Sequence, residues 1–351
     1  MLKKILIVIS LVLLLLMAAL LYPLVPDTPA DAGQAASKLD PTVAEQIAQF
    51  ADSADTIDAV VVADSDELLF EHGTTSAIIN THSVRKSIMS VMFGAAALEG
   101  RVDVQMTLAE LDIDDAKMPL TDLERTATVA DLLTARSGIY IEAAGETAEM
   151  KARRPQRGQY QPGQHYYYNN WDFNTLGAIL ARATGEPLED HYHRLAERLE
   201  FEDYQRGQLY FSEASGSEHD QYIIFLSARD LLKIGQMMLR GGRTPDGSQL
   251  LSPEWIAEST SSYSEITDVA HMDGYGYLWW LDSAAGTYWA SGWGGQFMLV
   301  DPGNDLIIVT RNHTGRRLGS VLWLSVLGNS TQGRMGEVAR IHEMILAARD
   351  P

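Results

Sequence analysis

The stretch Thr81-His82-Ser83-Val84-Arg85-Lys86-Ser87-Ile88-Met89-Ser90 decides how the chain is read. Ile88, Val91, Met92, Ala95 and Leu98 continue it at helical spacing, and Gly100 supplies a stop. Ser83 and Lys86 then stand one turn apart on nearly one face, at the mouth of an apolar helix. A helix start presents backbone N–H groups and partial positive charge, which suit a developing oxyanion. A buried lysine sheds its proton more readily and becomes a base toward a neighbouring hydroxyl. Ser-x-x-Lys alone recurs by chance in long chains, so its meaning depends on the rest of the sequence.

Outward from this helix, strand signals sit at both ends. Ile57–Val62 and Glu67–His72 flank Asp64-Ser65-Asp66 as a hairpin, behind a short amphipathic helix near Val43–Phe50. Residues 101–215 read as mostly helical and loop-rich. The spacing predicts a helix over Ala127–Thr134 ended by Ser137-Gly138, and another over Trp171–Thr184 stopped by Gly185. A third runs over Ala228–Arg240, capped by Ser227 and ended by Gly241-Gly242. Strands return at Tyr275–Leu281, Thr287–Ala290, Gln296–Val300 and Leu306–Arg311, with a turn over Asp301–Asp305. Met335–Ala348 closes the chain as an amphipathic helix. The fold class is therefore α/β (α+β): one mainly antiparallel sheet built from both chain ends, flanked by helices, with a helical lobe inserted at about 101–215.

The 351 residues, 46% hydrophobic, suffice for one large domain or a domain with a lobe. A net charge of −20 argues against nucleic acid and against anionic lipid as partners of the body. The absence of cysteine excludes a thiolate nucleophile, a disulfide framework and a lipidated cysteine. Lys3 and Lys4 precede the charge-free run Ile5–Leu21, ended by Pro23 and Pro26. Residues 1–23 are expected to anchor the chain in the inner membrane with the remainder outside the cytoplasm, or to be cleaved for secretion, with Ala30-Asp31-Ala32 a distant cleavage candidate. Residues 24–42 read as a tether and 43–351 as the functional domain.

Two later motifs bear on Ser83. Tyr166-Tyr167-Tyr168-Asn169-Asn170-Trp171, after Pro162-Gly163, places a phenol and an amide on a loop before a helix. Such a phenol, its pKa lowered by a nearby ammonium, would shuttle a proton; at least one of the three tyrosines must simply pack. Gly292-Trp293-Gly294-Gly295-Gln296 opens a strand where glycines let substrate approach the edge, or else marks a bulge. No Gly-x-Ser-x-Gly, His-Glu-x-x-His or phosphate-cradling loop occurs, and His191-Tyr192-His193 is a weak metal signal, read as solvated. No metal or cofactor is expected.

The order Ser83-x-x-Lys86, Tyr168-x-Asn170, then a Gly-rich strand resembles the serine β-lactamase and penicillin-recognising superfamily. Leu132-Leu-Thr-Ala-Arg-Ser-Gly138, Ser227-Ala-Arg-Asp230 and Trp293-Gly-Gly-Gln296 resemble its class C-related branch of esterases and 6-aminohexanoate-dimer hydrolases. The resemblance implies Ser83 as nucleophile, Lys86 as the residue that helps deprotonate it, Tyr168 as the general base/acid, and Asn170 contacting Lys86 or substrate. It implies an oxyanion hole from the N–H groups of Ser83 and Gln296, with Gly295 and Trp293 as neighbours in an unsettled register. Trp293-Gly294-Gly295 stands where many relatives carry Lys-Thr-Gly, which removes the cation that holds a substrate carboxylate. The implied activity is acyl-enzyme hydrolysis of a small ester or amide; the alternative is a silent binding or sensor protein for cell-wall fragments or a protein partner. Glu142, Glu146, Arg153 and Arg154 either border the entrance or are solvated.

Overall fold

The computed structural model describes residues 37–54, 56–213, 216–314 and 331–349. The anchor, most of the tether and Ala30-Asp31-Ala32 lie outside the described residues. Among those described, no helix is long and apolar enough to cross a membrane. In chain order the elements are α1 (Pro41–Ser53), β1 (Ala59–Ala63), β2 (Leu68–Gly73), β3 (Ile79–Asn80), α2 (Val84–Leu98), α3 (Val129–Leu133), α4 (Ala148–Arg153), α5 (Asn170–Thr184) and α6 (Leu188–Arg198). They continue through β4 (Leu209–Ser212), β5 (Gln221–Leu226), α7 (Ala228–Leu239), α8 (Pro253–Ser259), β6 (Ser264–Glu265), β7 (Gly274–Tyr275) and β8 (Trp280–Asp282) to β9 (Thr287–Gly292), β10 (Gln296–Asp301), β11 (Leu306–Arg311) and α9 (Thr331–Arg349).

One eight-stranded sheet has the order β2-β1-β11-β10-β9-β8-β7-β6, and every pairing in it is antiparallel. Its centre joins the two ends of the chain, with Val61 opposite Val309. Alternate residues serve opposite faces. Val60, Val62, Phe297, Leu299 and Ile308 pack on Ile47 of α1 and on Val338, Ile341 and Ile345 of α9. Val61, Met298, Val300, Ile307 and Val309 pack in a second core with Ile88 and Met92 of α2 and Leu231 and Ile234 of α7. Both faces are covered, so these strands read as continuous apolar runs rather than as polar–apolar alternation.

Three expectations change. Tyr275–Leu281 is not one strand: β7 and β8 are joined by a turn in which Leu278 adopts φ 65°. That turn is pinned from outside, because Leu278 N–H donates to Leu133 O at 3.0 Å and Ser87 Oγ donates to Leu278 O at 2.7 Å. The Ala127–Thr134 helix shrinks to α3, whose start is fixed by a reciprocal Thr128–Asp131 cap. Within 101–215, β4 is a strand, pairing with β5 in a three-stranded sheet of order β3-β5-β4. Its Leu209-Tyr210-Phe211 run is aromatic and has a ready partner edge, which outweighs the helical character of its surroundings.

Candidate active site

The site begins where β3 hands the chain to α2. Thr81 donates to Ile224 O through both its N–H (2.9 Å) and its hydroxyl (2.8 Å), tying the segment to β5. His82 then adopts φ 47°, with its N–H on Asn80 Oδ1 at 2.7 Å. A left-handed conformation is costly for a β-carbon-bearing residue and persists only when its surroundings hold it. Here they do: His82 Nε2 lies 2.8 Å from Thr314 Oγ1, and its ring meets Trp293 edge-on at 5.2 Å. Burial pushes the His82 pKa down to about 4, with Arg311 and Arg85 adding to the effect, so the imidazole is neutral.

Ser83 is the N-cap of α2, yet its side chain makes no capping bond. An N-cap serine ordinarily accepts from the second or third helical N–H. The Ser83 hydroxyl instead lies 3.2 Å from Lys86 Nζ, and Lys86 Nζ lies 2.7 Å from Tyr168 Oη. Lys86 is 3% exposed. Its ammonium would sit 4.0 Å from the Tyr168 ring centre and 4.4 Å from that of Phe173. Burial, followed by the neighbouring Arg85 guanidinium, drives the Lys86 pKa well below the usual lysine value.

Tyr168 arrives from the segment before α5. Asn169 caps that helix, accepting from Trp171 N–H at 3.1 Å and donating to Ile139 O at 2.6 Å. The Tyr168 ring stacks on half-buried Trp280, 5.5 Å between centres. Of the three tyrosines only Tyr168 bonds Lys86. Tyr167 donates to Met150 O at 2.7 Å, and Tyr166 packs on Tyr275 with its hydroxyl unpartnered among the described residues. The expected lowering of the Tyr168 pKa is reversed: burial pushes it up to about 12, against the smaller opposing effects of its bond to Ser83 and of Arg85. Burial disfavours the charged form of each group, so it lowers the lysine and raises the phenol.

Asn170, the first residue of α5, is buried and donates to Ala144 O at 3.4 Å; its Oδ1 has no partner among the described residues. No hydrogen bond joins it to Lys86, whose partners are Ser83 and Tyr168.

The glycine-rich motif is the tight link between β9 and β10. A Cβ placed on Gly292 would lie 2.6 Å from Thr81 O and 3.2 Å from Ser83 N, so Gly292 is where the strand meets Ser83. Gly295 faces elsewhere: at φ 97° its Cβ would meet Thr56 O at 2.9 Å. Gln296 pairs with Gly292 across the ladder and buries its amide, donating to Asn312 O at 2.6 Å and accepting from Arg311 Nε at 2.7 Å. Gly294 O accepts from Asn312 Nδ2 (2.7 Å) and from Arg334 Nη1 (3.0 Å) on α9. Gln296 and Gly295 thus build the turn, while Gly292 borders Ser83 and Trp293 meets His82. Among the described residues, neither the Ser83 N–H nor the Trp293 N–H donates a hydrogen bond.

The remaining predicted residues lie apart from this cluster. His191 is buried with Nε2 2.8 Å from Thr184 Oγ1, not solvated, and His193 lies 3.4 Å from Glu197. Glu142 pairs with Lys151 at 3.0 Å and Arg153 with Asp268 at 2.6 Å on the surface, whereas Glu146 is buried against Arg154. Sequence reasoning missed Arg85, His82 and Trp280. Arg85 carried a signal: a charged residue between Ser83 and Lys86 on a helix whose start is buried all round.

Residues 58–311 match the family model described as Beta-lactamase. The chain belongs to the beta-lactamase family, a family of serine hydrolases. A protein of Escherichia coli O157:H7 named "Putative D-alanyl-D-alanine carboxypeptidase" is 25% identical over 224 residues, 49% of this chain and 50% of that protein. The chain therefore spans about half the length of the curated relatives it matches. Among solved structures, a family VIII carboxylesterase superposes with TM-score 0.61 at 16% identity, covering 90% of this chain and 100% of that one. A "Putative 6-aminohexanoate-dimer hydrolase" from Bacillus anthracis superposes with TM-score 0.56 at 19% identity, covering 83% of this chain and 81% of that one. At these identities the superpositions establish the shared fold.

Proposed function

We propose that the protein is an extracytoplasmic serine hydrolase that cleaves a small ester or amide through an acyl-enzyme on Ser83. The observation that carries this is the single amine of Lys86 placed 3.2 Å from the Ser83 hydroxyl and 2.7 Å from the Tyr168 phenol. Lys86, in its free-amine form, takes the Ser83 proton as Oγ adds to the substrate carbonyl. The new oxyanion is held by the N–H groups of Ser83 and Trp293, at the positive end of α2. Tyr168 gives its phenolic proton to the leaving oxygen or nitrogen and regains one from the Lys86 ammonium. Water then enters by the reverse route, losing a proton through the same pair and releasing the acid.

The E. coli relatives' name points to D-alanyl-D-alanine peptides, which carry a terminal carboxylate. The Trp293-Gly294-Gly295 turn offers no cation to such a group, and Arg334, which reaches the turn, is 4% exposed and engaged with Gly294 O. This favours substrates without a carboxylate at that position. Lys3, Lys4 and the apolar run Ile5–Leu21 support an anchored chain with its catalytic domain, residues 43–351, outside the cytoplasm.

Mixing the protein with p-nitrophenyl butyrate should give a burst of nitrophenolate followed by turnover, and a fluorophosphonate should label Ser83. Folded protein with neither burst nor turnover would contradict the assignment, as would labelling of another serine. The rate should rise with pH through the depressed Lys86 pKa and fall only near pH 12, where the Tyr168 phenol ionises.

A further inference from the structure

Arg85 is 2% exposed on α2 between the nucleophile and its base. A buried guanidinium ordinarily has a carboxylate against it, yet among the described residues none forms an ion pair with Arg85. Nη2 donates to Asn174 Oδ1 at 3.2 Å, the guanidinium carbon lies 4.3 Å over the Tyr222 ring, and Nη1 has no partner among the described residues. The charge is therefore held in the interior by a neutral amide and an aromatic face. Such an arrangement costs stability and calls for a use.

We propose that Arg85 is a positioning residue of the reaction proposed above: its uncompensated guanidinium is the fixed positive charge that keeps the adjacent Lys86 amine free of a proton, and hence a base toward Ser83. Two like charges one residue apart in a dry site disfavour each other, and arginine, which does not give up its proton, forces lysine to yield. The groups around the pair leave this charge unopposed. Tyr168 and, on β5, Tyr222 are held as phenols with pKa pushed up to about 12 by burial. Tyr275 on β7 is pushed up likewise, and His82 is neutral. Asp172 on α5 is pushed up by burial and turns its carboxyl to Ser137 (2.5 Å) and Asn169 (2.9 Å). Arg311, the other buried cation near His82, is spent on carbonyls of β3 and β5, donating to Ile79 O at 3.0 Å and Leu226 O at 2.8 Å. Burial lowers the Lys86 pKa most, and the Arg85 charge adds to it.

The test is the pH profile of kcat/KM on p-nitrophenyl butyrate for wild type, Arg85→Gln, Arg85→Met and Arg85→Lys. Loss of the charge should move the acid limb of Arg85→Gln and Arg85→Met upward by about one pH unit or more, with activity recovering at high pH. Arg85→Lys, which keeps a cation, should leave the limb nearer its wild-type place. A merely structural role would lower kcat/KM evenly or lower Tm without moving the limb, and that outcome overturns the proposal. Should the neutral variants be too slow to profile, the 13Cε resonance of Lys86, assigned by its loss in Lys86→Met, must titrate higher in them than in wild type; an unmoved midpoint overturns the proposal. Wild-type protein left unlabelled at Ser83 by fluorophosphonate would overturn the hydrolase reading, and the inference with it. Labelled wild type with an unmoved limb in Arg85→Gln would overturn the inference alone.

Discussion

The two sides of the Ser83 cleft are built on different principles. On one side, Ser83 and Lys86 lie one turn apart on α2, and three residues of spacing suffice to bring them within 3.2 Å. On the other, the turn from Gly292 to Gln296 takes its shape from groups far away in the chain: Arg311, Asn312 and, on α9, Arg334. Helical proximity follows from local geometry alone. The aim of a turn follows from which hydrogen bonds hold it, and those partners are not visible from its own residues. The helix side should accordingly fail by loss of chemistry, and the turn side by loss of position.

The largest effect belongs to the helical side. Ser83→Ala should lower kcat/KM by about 10⁴-fold or more and abolish fluorophosphonate labelling, with Tm little changed. Steady-state kinetics with intact-protein mass spectrometry checks both. On the turn side, Gly292→Ala should cost about 10²–10³-fold in kcat, because its Cβ would press on Thr81 O and Ser83 N and open the oxyanion hole. If Gly292→Ala proves innocuous while Gly295→Ala inactivates, the register assigned to the turn is wrong.

That register was the least legible part of the sequence. The Gly-Trp-Gly-Gly-Gln motif marked a close approach to the site but did not say which residue makes it. Gly292 and Gly295 look alike in sequence, and only the pairing of Gln296 with Gly292 and its clasp on Arg311 and Asn312 separate them. The central strands were legible because their runs are apolar on both faces and bounded by turns. The small sheet of β3, β4 and β5 was not, since its strands are short and find each other across long loops. Tyr168 was legible as a site residue, but the direction of its pKa was not. That direction is set by burial in the folded cleft, which no spacing reveals.

A smaller effect should come from Gln296→Ala. It leaves Arg311 Nε and Asn312 O without their buried partner, which should cost about 1–3 kcal/mol of stability for each group left unsatisfied. Urea unfolding measures this, and any fall in kcat should be well below that of Gly292→Ala. The smallest effect should come from Arg153→Ala. Its ion pair with Asp268 is exposed on both sides, so stability should change by less than about 1 kcal/mol and activity not at all. A large loss of activity there would draw the surface near α4 into the site.

The central claim is that Lys86 and Tyr168 act as one proton-transfer unit on Ser83. It is tested most directly by kcat/KM on one activated ester for Lys86→Met, Tyr168→Phe and the double variant. Each single change should cost about 10²–10⁴-fold, as expected for loss of general acid–base catalysis. The double variant should be scarcely worse than the poorer single one, because a unit is disabled by its first deletion. Losses that multiply in the double variant, or a Tyr168→Phe protein that turns over at the wild-type rate, would contradict the account and leave Lys86 to act without the phenol.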